Sequence, residues 1–201
     1  MNPVTGVYEF YKADGTGTSE PSYGIPSQGG DFVDIGNTDP KFIGGFGNNI
    51  NYKQFSLYFL FQFKSGIGRN YLYSIYNQQY SPGGLTNEPT AILDHWKKPG
   101  DISAIGKVTA GYGPAAIGDY SFAESSATLS DASYIRLKTV ALSYSPSAHF
   151  LKKINASNCK FYINAQNLLL LTRFKVGDPE LANIFSFPIQ KTIVVGLSIN
   201  F

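Results

Sequence analysis

Asp178 and Glu180 stand two residues apart around Pro179, and paired carboxylates are what general acid–base catalysis uses. His95, flanked by Asp94 and Trp96, and His149 are the two imidazoles of the chain, candidates for a metal ligand or a catalytic base. Each reading is weaker than a plainer one. Two acids straddling a proline are ordinary turn chemistry with solvated charge. The histidines lack the short His–His or His–Cys spacing of a metal site. The single cysteine, Cys159, excludes an intrachain disulfide framework and a cysteine-built metal centre. No G-x-S-x-G, phosphate-binding loop or dinucleotide fingerprint occurs. Gly44, Gly45 and Gly47 lie in an alternating segment, where close packing or curvature accounts for them. Neither an enzyme nor a cofactor is expected.

Aromatic side chains are the remaining candidates for chemistry. Tyr71, Tyr73, Tyr76, Tyr80, Trp96, Tyr112 and Tyr120 all fall between residues 65 and 132. Aromatic faces bind sugar rings and peptides, so this stretch is a candidate contact loop for a ligand or a partner protein. Tyrosine also gathers at membrane–water boundaries, which is the plainer account.

These residues must be positioned by strands. The chain has 201 residues, enough for one domain. Charged residues make up 15%, below the roughly 25% usual for soluble domains, and aromatics reach the same 15%. Mean hydropathy is only −0.11. Few charges, many aromatics and near-neutral hydropathy suit strands whose two faces meet different solvents. A net charge of +2 excludes a strongly basic nucleic-acid binder. No apolar run is long enough for a transmembrane helix. Residues 1–20 lack the basic start and apolar run of a secretory signal, so none is expected there.

Residues 1–40, rich in Gly, Pro, Ser, Thr and Asp, read as loop apart from a short pattern at Val7–Tyr11 that suits a strand end, and order begins at Lys41. In 55–64, Phe55, Leu57, Phe59, Phe61 and Phe63 share one face while Ser56, Tyr58, Leu60, Gln62 and Lys64 share the other. Phe42, Phe46, Ile50 and Tyr52 alternate with Gly45, Gly47, Asn49 and Asn51 just before it, and Lys53-Gln54 makes a tight hairpin. Phe161, Ile163 and Ala165 alternate with Lys160, Tyr162, Asn164 and Gln166. Ile193, Val195, Leu197, Ile199 and Phe201 alternate with Thr192, Val194, Gly196, Ser198 and Asn200. Segment 133–144 is less regular, because Arg136 and Lys138 share a face with Tyr134 and Val140. A bulge that switches facing partway resolves this. One or two helical turns over Ala148–Ile154, capped by Ser147, are the only helix expected. The fold class is all-β, an antiparallel meander.

The connections add a second signal. Links 53–54 and 145–158 are shorter, whereas 65–132 and 172–190 are long and loose. Outer-membrane barrels pair short periplasmic turns with longer extracellular loops, and this alternation fits that scheme. Residues 1–40 then belong outside the cell with 65–132. Five strands are too few to close a membrane barrel, so the chain must be incomplete on its own.

The residues now carry a resemblance. Asp131–Tyr144 (DASYIRLKTVALSY), Phe161–Leu171 (FYINAQNLLLL), Gly177-Asp178-Pro179-Glu180 and Phe187-Pro188 leading into Thr192–Phe201 resemble, in order, the late barrel strands of the SusC/RagA family of TonB-dependent outer-membrane transporters. Asp39-Pro40-Lys41-Phe42, Gly44-Gly45-Phe46 and Leu93-Asp94-His95-Trp96 are similar to earlier elements of that family. After Trp96 the sequence departs, with Lys97-Lys98-Pro99-Gly100 where the family has an Asn-Pro element.

The resemblance implies the C-terminal part of a roughly 22-stranded barrel in the cell outer membrane. It implies a plug, a TonB complex reached through N-terminal parts outside these residues, and a SusD-like surface lipoprotein. Imported glycans, oligopeptides or similar nutrients would be the cargo. Phe201 matches the terminal aromatic that barrel-assembly machinery reads. On this reading Phe55, Leu57, Phe59, Phe61, Phe63, Phe161, Ile163, Ile193, Val195, Leu197 and Ile199 face lipid. Arg136, Lys138, Lys160 and Gln166 face the lumen, in contact with water and plug. The competing reading is a soluble β-sandwich or adhesin module that binds glycans, in which two such apolar faces pack on each other.

Overall fold

The computed structural model of the chain describes residues 1–76, 82–83, 87–181 and 186–201. Five long strands form one sheet in sequence order: β1 (Phe42–Tyr52), β2 (Phe55–Ser65), β3 (Tyr134–Tyr144), β4 (Asn158–Thr172) and β5 (Thr192–Asn200). Every neighbouring pair is antiparallel. All five expected strands are present, in a meander.

The register explains the alternation. Lys53 closes the β1–β2 hairpin in the left-handed region, φ 53°, and Tyr52 pairs with Phe55. From that turn, Ile50 pairs with Leu57, Phe46 with Phe61 and Gly44 with Phe63. Alternate residues are therefore carried to one face along the whole hairpin.

The expected bulge in β3 is present. Leu60 and Phe61, adjacent in β2, pair with Thr139 and Leu137, which leaves Lys138 as the extra residue. Before it Ile135 and Leu137 share the face of Phe61 and Phe63; beyond it Val140, Leu142 and Tyr144 share the face of Phe59, Leu57 and Phe55. An odd-numbered apolar set thus hands over to an even-numbered one without leaving the surface. β4 answers with an extra residue of its own, since Leu137 pairs with Leu169 and Thr139 with Gln166. Asn167, inside that irregularity, has φ 55° and donates from its side-chain amide to the Gln190 carbonyl at 3.1 Å.

Glycines on the two edge strands are covered by rings from their inner neighbours. Phe63 lies over Gly44, where an added Cβ would stand 2.7 Å from the ring, and Tyr162 lies over Gly196. A bare glycine in an edge strand exposes backbone, and a ring laid across it restores the packing a side chain would supply.

Beyond β2 and β3 the hairpin continues as a narrow stem. Ile67–Arg69 pairs with Leu129–Asp131, and the Ala132 amide donates to the Gly66 carbonyl. The stem carries α1 (Tyr71–Tyr76), α2 (Pro114–Ala123) and several 3-10 turns. These two helices were not expected. α1 is short, and α2 contains Pro114, Gly118 and Asp119, so neither shows a helical apolar stripe in sequence. The expected helix, α3 (Ala148–Lys153), links β3 to β4, but Ser147 at its N-terminal boundary does not cap it: its hydroxyl makes no cap bond, and its carbonyl accepts the first helical bonds from Phe150 and Leu151. Among the described residues no helix is long and apolar enough to cross a membrane.

Gly196→Val should force Tyr162 off its perch and destabilise the β4–β5 pair by about 1–3 kcal/mol. Combined with Tyr162→Ala it should lose less than the sum of the two single changes. A double-mutant cycle by denaturant titration measures this; strict additivity would mean the ring does not pack on Gly196.

Candidate functional surfaces: an apolar sheet face and a capped outer unit

One face of the sheet is apolar across all five strands. The register places Phe55, Leu57, Phe59, Phe61 and Phe63 of β2 on it together with Phe161 and Ile163 of β4 and Ile193, Val195, Leu197 and Ile199 of β5. Phe42, Phe46, Ile50, Tyr52, Ile135, Leu142, Tyr144, Leu169 and Leu171 join them. Large members of this set stay exposed, Val195 at 72% and Ile193 at 64% among them. Phe201 follows β5 and is exposed too. Among the described elements there is no second sheet packed on this face, as a sandwich requires. So large a contiguous apolar patch marks a surface that meets something other than water.

The face has an order that sequence reasoning missed. Tyr52, Phe55, Tyr144 and Phe161 lie in one transverse row, each paired with the next across neighbouring strands at the end with the shorter turns. Phe55 and Tyr144 have ring centroids 4.8 Å apart, and Tyr144 and Phe161 6.4 Å. The signal lay in the register rather than the local pattern, since Tyr52 and Phe55 are far in sequence from Tyr144 and Phe161.

The opposite face is more polar. Asn49, Ser56, Tyr58, Ser143, Lys160, Tyr162, Asn164 and Ser198 line a shallow concavity near the short-turn end. Gln166 lies on this face as well. Toward the other end, Arg136 behaves differently from the expected solvated lumenal cation. It is 2% exposed, its Nη2 donates to both Asp178 carboxylate oxygens at 2.5 and 2.6 Å, and its Nε lies 2.7 Å from Glu180. Lys138 Nζ donates to Glu180 at 3.0 Å and the Tyr134 hydroxyl to the same carboxylate at 2.7 Å. The Asp178-Pro179-Glu180 element is therefore neither an acid–base pair nor a solvated turn. Both carboxylates are committed to cations of β3.

The aromatic candidates divide sharply. Tyr76 and Trp96 are buried, at 5% and 7%. The Tyr76 hydroxyl meets the Tyr8 hydroxyl at 2.8 Å, and Trp96 donates its indole N–H to the Pro3 carbonyl. Tyr8 in turn donates to the Ala104 carbonyl, accepts the Gly106 amide and stacks on Phe122 at 3.9 Å. Tyr8, Leu72, Ile75, Tyr76, Ile92, Ile105, Phe122 and Ala123 make one core. Residues 1–10, read from sequence as loop leading into a strand end at Val7–Tyr11, are thus built into the 65–132 unit, and Phe10–Tyr11 is a strand. Tyr71 packs against that core, and Tyr73 lies under the Arg69 guanidinium, 4.3 Å from ring centroid to carbon. Tyr112 and Tyr120 remain fully open to solvent. Tyr80 lies outside the described residues.

Arg69 ties this unit to its stem, donating to the Ala123 carbonyl and Thr128 hydroxyl and pairing with Glu124. His95 sits in the unit with its Nδ1 2.7 Å from the Ile92 carbonyl, and His149 lies in α3. Among the described residues no group of three or more His, Cys, Asp or Glu is placed to hold a metal ion.

One buried group is out of balance. Asp119 of α2 is 4% exposed and its Oδ2 has no hydrogen-bond partner. Burial without a cation pushes its carboxyl up to about 7. An acid whose folded pKa is raised holds its proton longer in the fold than in the unfolded chain. Asp119 therefore costs the outer unit nothing below the ordinary carboxylate range, and its burial destabilises the unit progressively as pH rises from about 4 to about 7.

No protein-family model matches the chain. It is similar to two curated proteins of Formosa agariphila: TonB-dependent receptor P26, 30% identical over 189 residues, and TonB-dependent receptor P3, 26% identical over 189 residues. Those alignments take in 85% and 83% of this chain but only 18% and 17% of the relatives, so the chain spans less than a fifth of their length. Among solved structures it is similar to the RagAB peptide importer in its "open-open" state and to the RagAB peptide transporter. Each gives a TM-score of 0.68 at 22% identity, with 100% of this chain and 21% or 22% of the other covered. The open five-stranded sheet thus has the fold of one part of a much larger barrel.

Hydrogen exchange of amides 104–106, read at pH 5 and pH 8, should report a looser outer unit at the higher pH after correction for intrinsic rates. Asp119→Asn should abolish most of that difference. A difference that survives the substitution would assign the titration to another group.

Proposed function

We propose that this chain, a segment of a TonB-dependent receptor of the SusC/RagA family, supplies five adjacent strands and two outer loops to an outer-membrane nutrient importer. The observation that carries the reading is the apolar face, continuous over five paired strands and uncovered among the described elements. The strands are 9 to 15 residues long, and a tilted strand needs about 9–11 to cross the hydrocarbon. The aromatic row Tyr52–Phe55–Tyr144–Phe161 suits a membrane–water girdle. The turn at Lys53-Gln54 and the α3 connection then lie on the periplasmic side. The 65–132 unit, with residues 1–10 built into it, lies outside the cell.

The edges of β1 and β5 pair with further strands of the same barrel, since hydrocarbon leaves no other partner for their N–H and C=O groups. The polar face, with Lys160, Gln166 and the Tyr58–Tyr162 concavity, turns to the lumen and plug. Transport energy comes through a TonB complex acting on parts of the protein outside this chain. Tyr112 and Tyr120, exposed on the outer unit, are available to a SusD-like lipoprotein or to the cargo. The solved neighbours are a peptide importer and a peptide transporter, which supports oligopeptides, beside glycans, as the substrate class. Phe201 continues the outward alternation of β5.

In the complete barrel Val195→Arg, on the apolar face one pairing row in from the girdle, should cost more than Tyr52→Arg at the girdle, up to about 2–4 kcal/mol against about 0–1 kcal/mol. Unfolding titrations in lipid vesicles measure both. A Val195→Arg barrel as stable as the parent would overturn the assignment of this face to lipid.

A further inference from the structure

The connection between β4 and β5 runs from Arg173 to Lys191, and its first half is held against the polar face of the sheet. Three inward side chains from the outer half of β3, Tyr134, Arg136 and Lys138, grip two carboxylates of the connection, Asp178 and Glu180. Arg136 and Asp178 have side chains only 3% and 11% exposed, and Glu180 15%. Two positive and two negative charges cancel within the cluster. The turn is also tied to itself, since the Glu180 amide donates to Asp178 Oδ1 and the Leu181 amide to the Asp178 carbonyl. Alternation already puts Lys138 on the side of Arg136, and both reach Glu180; the bulge returns the residues beyond them, Val140, Leu142 and Tyr144, to the apolar face.

We infer that this cluster is a latch that folds the β4–β5 connection inward, over the lumenal side of the sheet, and so narrows the outer mouth of the barrel. The inference rests on the reading of the polar face as lumen. A surface loop held only by its ends stands away from a sheet, and exposed ion pairs contribute little to hold it down. An arginine shared between two carboxylates and withdrawn from water is different, because opening the cluster leaves charges unpaired at a site that solvates them poorly. Residues 173–181 of the connection are therefore in one of two arrangements, pinned or released, rather than sampling positions in between. Pinned, they set a fixed wall beside the path from the outer unit to the lumen; released, they widen that path. Tyr134 is a positioning residue, orienting Glu180 toward both cations.

Paired spin labels in the complete transporter test this, one at Val176→Cys on the connection and one at Ile135→Cys on the outer face of β3. The parent should give a single narrow distance distribution. The charge-free variant Arg136→Met/Lys138→Met/Asp178→Asn/Glu180→Gln should broaden it and shift it to longer distance. It should also raise the labelling rate of a thiol at Tyr58→Cys, on the lumenal face, by a membrane-impermeant reagent added outside, by several-fold. Tyr134→Phe, which removes one hydrogen bond and no charge, should broaden the distribution slightly and guards against a variant that misassembles. An unchanged distribution in both variants would overturn the latch. The label at Ile135 tests the underlying reading separately: greater accessibility to oxygen than to a polar nickel complex marks lipid contact. The reverse would overturn the barrel reading whatever the distances show.

Discussion

A strand bordering hydrocarbon can satisfy its N–H and C=O groups only on another strand, and everything else in this structure follows from that constraint. Within the chain it is met three times over, because β2, β3 and β4 are paired on both sides. It is left unmet at the free edges of β1 and β5. Five strands in a twisted meander cannot bring those edges together, so the sheet is stable only as an arc of something larger. The edge glycines Gly44 and Gly196 sharpen the point. Each is shielded by a ring from the strand behind it, which keeps the sheet packed up to its last paired strand while leaving the backbone edge free for the next.

The same constraint explains why β3 is irregular. Its sequence must place Arg136 and Lys138 on the polar face and also keep an unbroken apolar row outside. Strict alternation permits one or the other, not both. The single extra residue at Lys138 shifts the phase, so Ile135 and Leu137 and then Val140, Leu142 and Tyr144 all point outward. A charge on the outer face costs a few kcal/mol at the midplane. A bulge perturbs only the local ladder. Evading that large cost with a small one is reason enough for the irregularity, and the gathered cations are then available to hold Asp178 and Glu180.

Legibility in the sequence followed the range of the interactions. Period two is local, so the five strands, the β1–β2 hairpin and even the phase change near Lys138 were readable from neighbouring residues. The apolar face was readable for the same reason. What failed to show was whatever depends on residues far apart in the chain. Tyr8 and Tyr76 bond across the gap between the first residues and α1, and nothing near either one announces it. Residues 1–10 looked mostly like loop because their partners are Ile92, Ile105 and Phe122. Asp178 and Glu180 looked solvated because their cations lie on β3. The aromatic group between 65 and 132 stood out by composition, but aromatic type alone does not separate a ring that fills a core, such as Trp96, from one that stands free, such as Tyr112.

Two different rules of cohesion therefore meet at the stem formed by Ile67–Arg69 and Leu129–Asp131. Below it the sheet has no apolar core; its side chains point away from one another into two media, and cohesion comes from backbone pairing. Above it the outer unit has an ordinary core, with Tyr8 and Phe122 stacked at its centre and Thr128 fully buried. Arg69 stands at the junction, its guanidinium spent on the Ala123 carbonyl, the Thr128 hydroxyl, Glu124 and the Tyr73 ring. Such a core is driven by expulsion of water and so needs water around it, whereas the strands below need water only at their ends. A single hairpin that passes from one regime to the other at Gly66 and Ala132–Ser133 has its boundary written in its packing. That boundary, more than any one residue, argues that the chain stands across an interface between an apolar medium and an aqueous one.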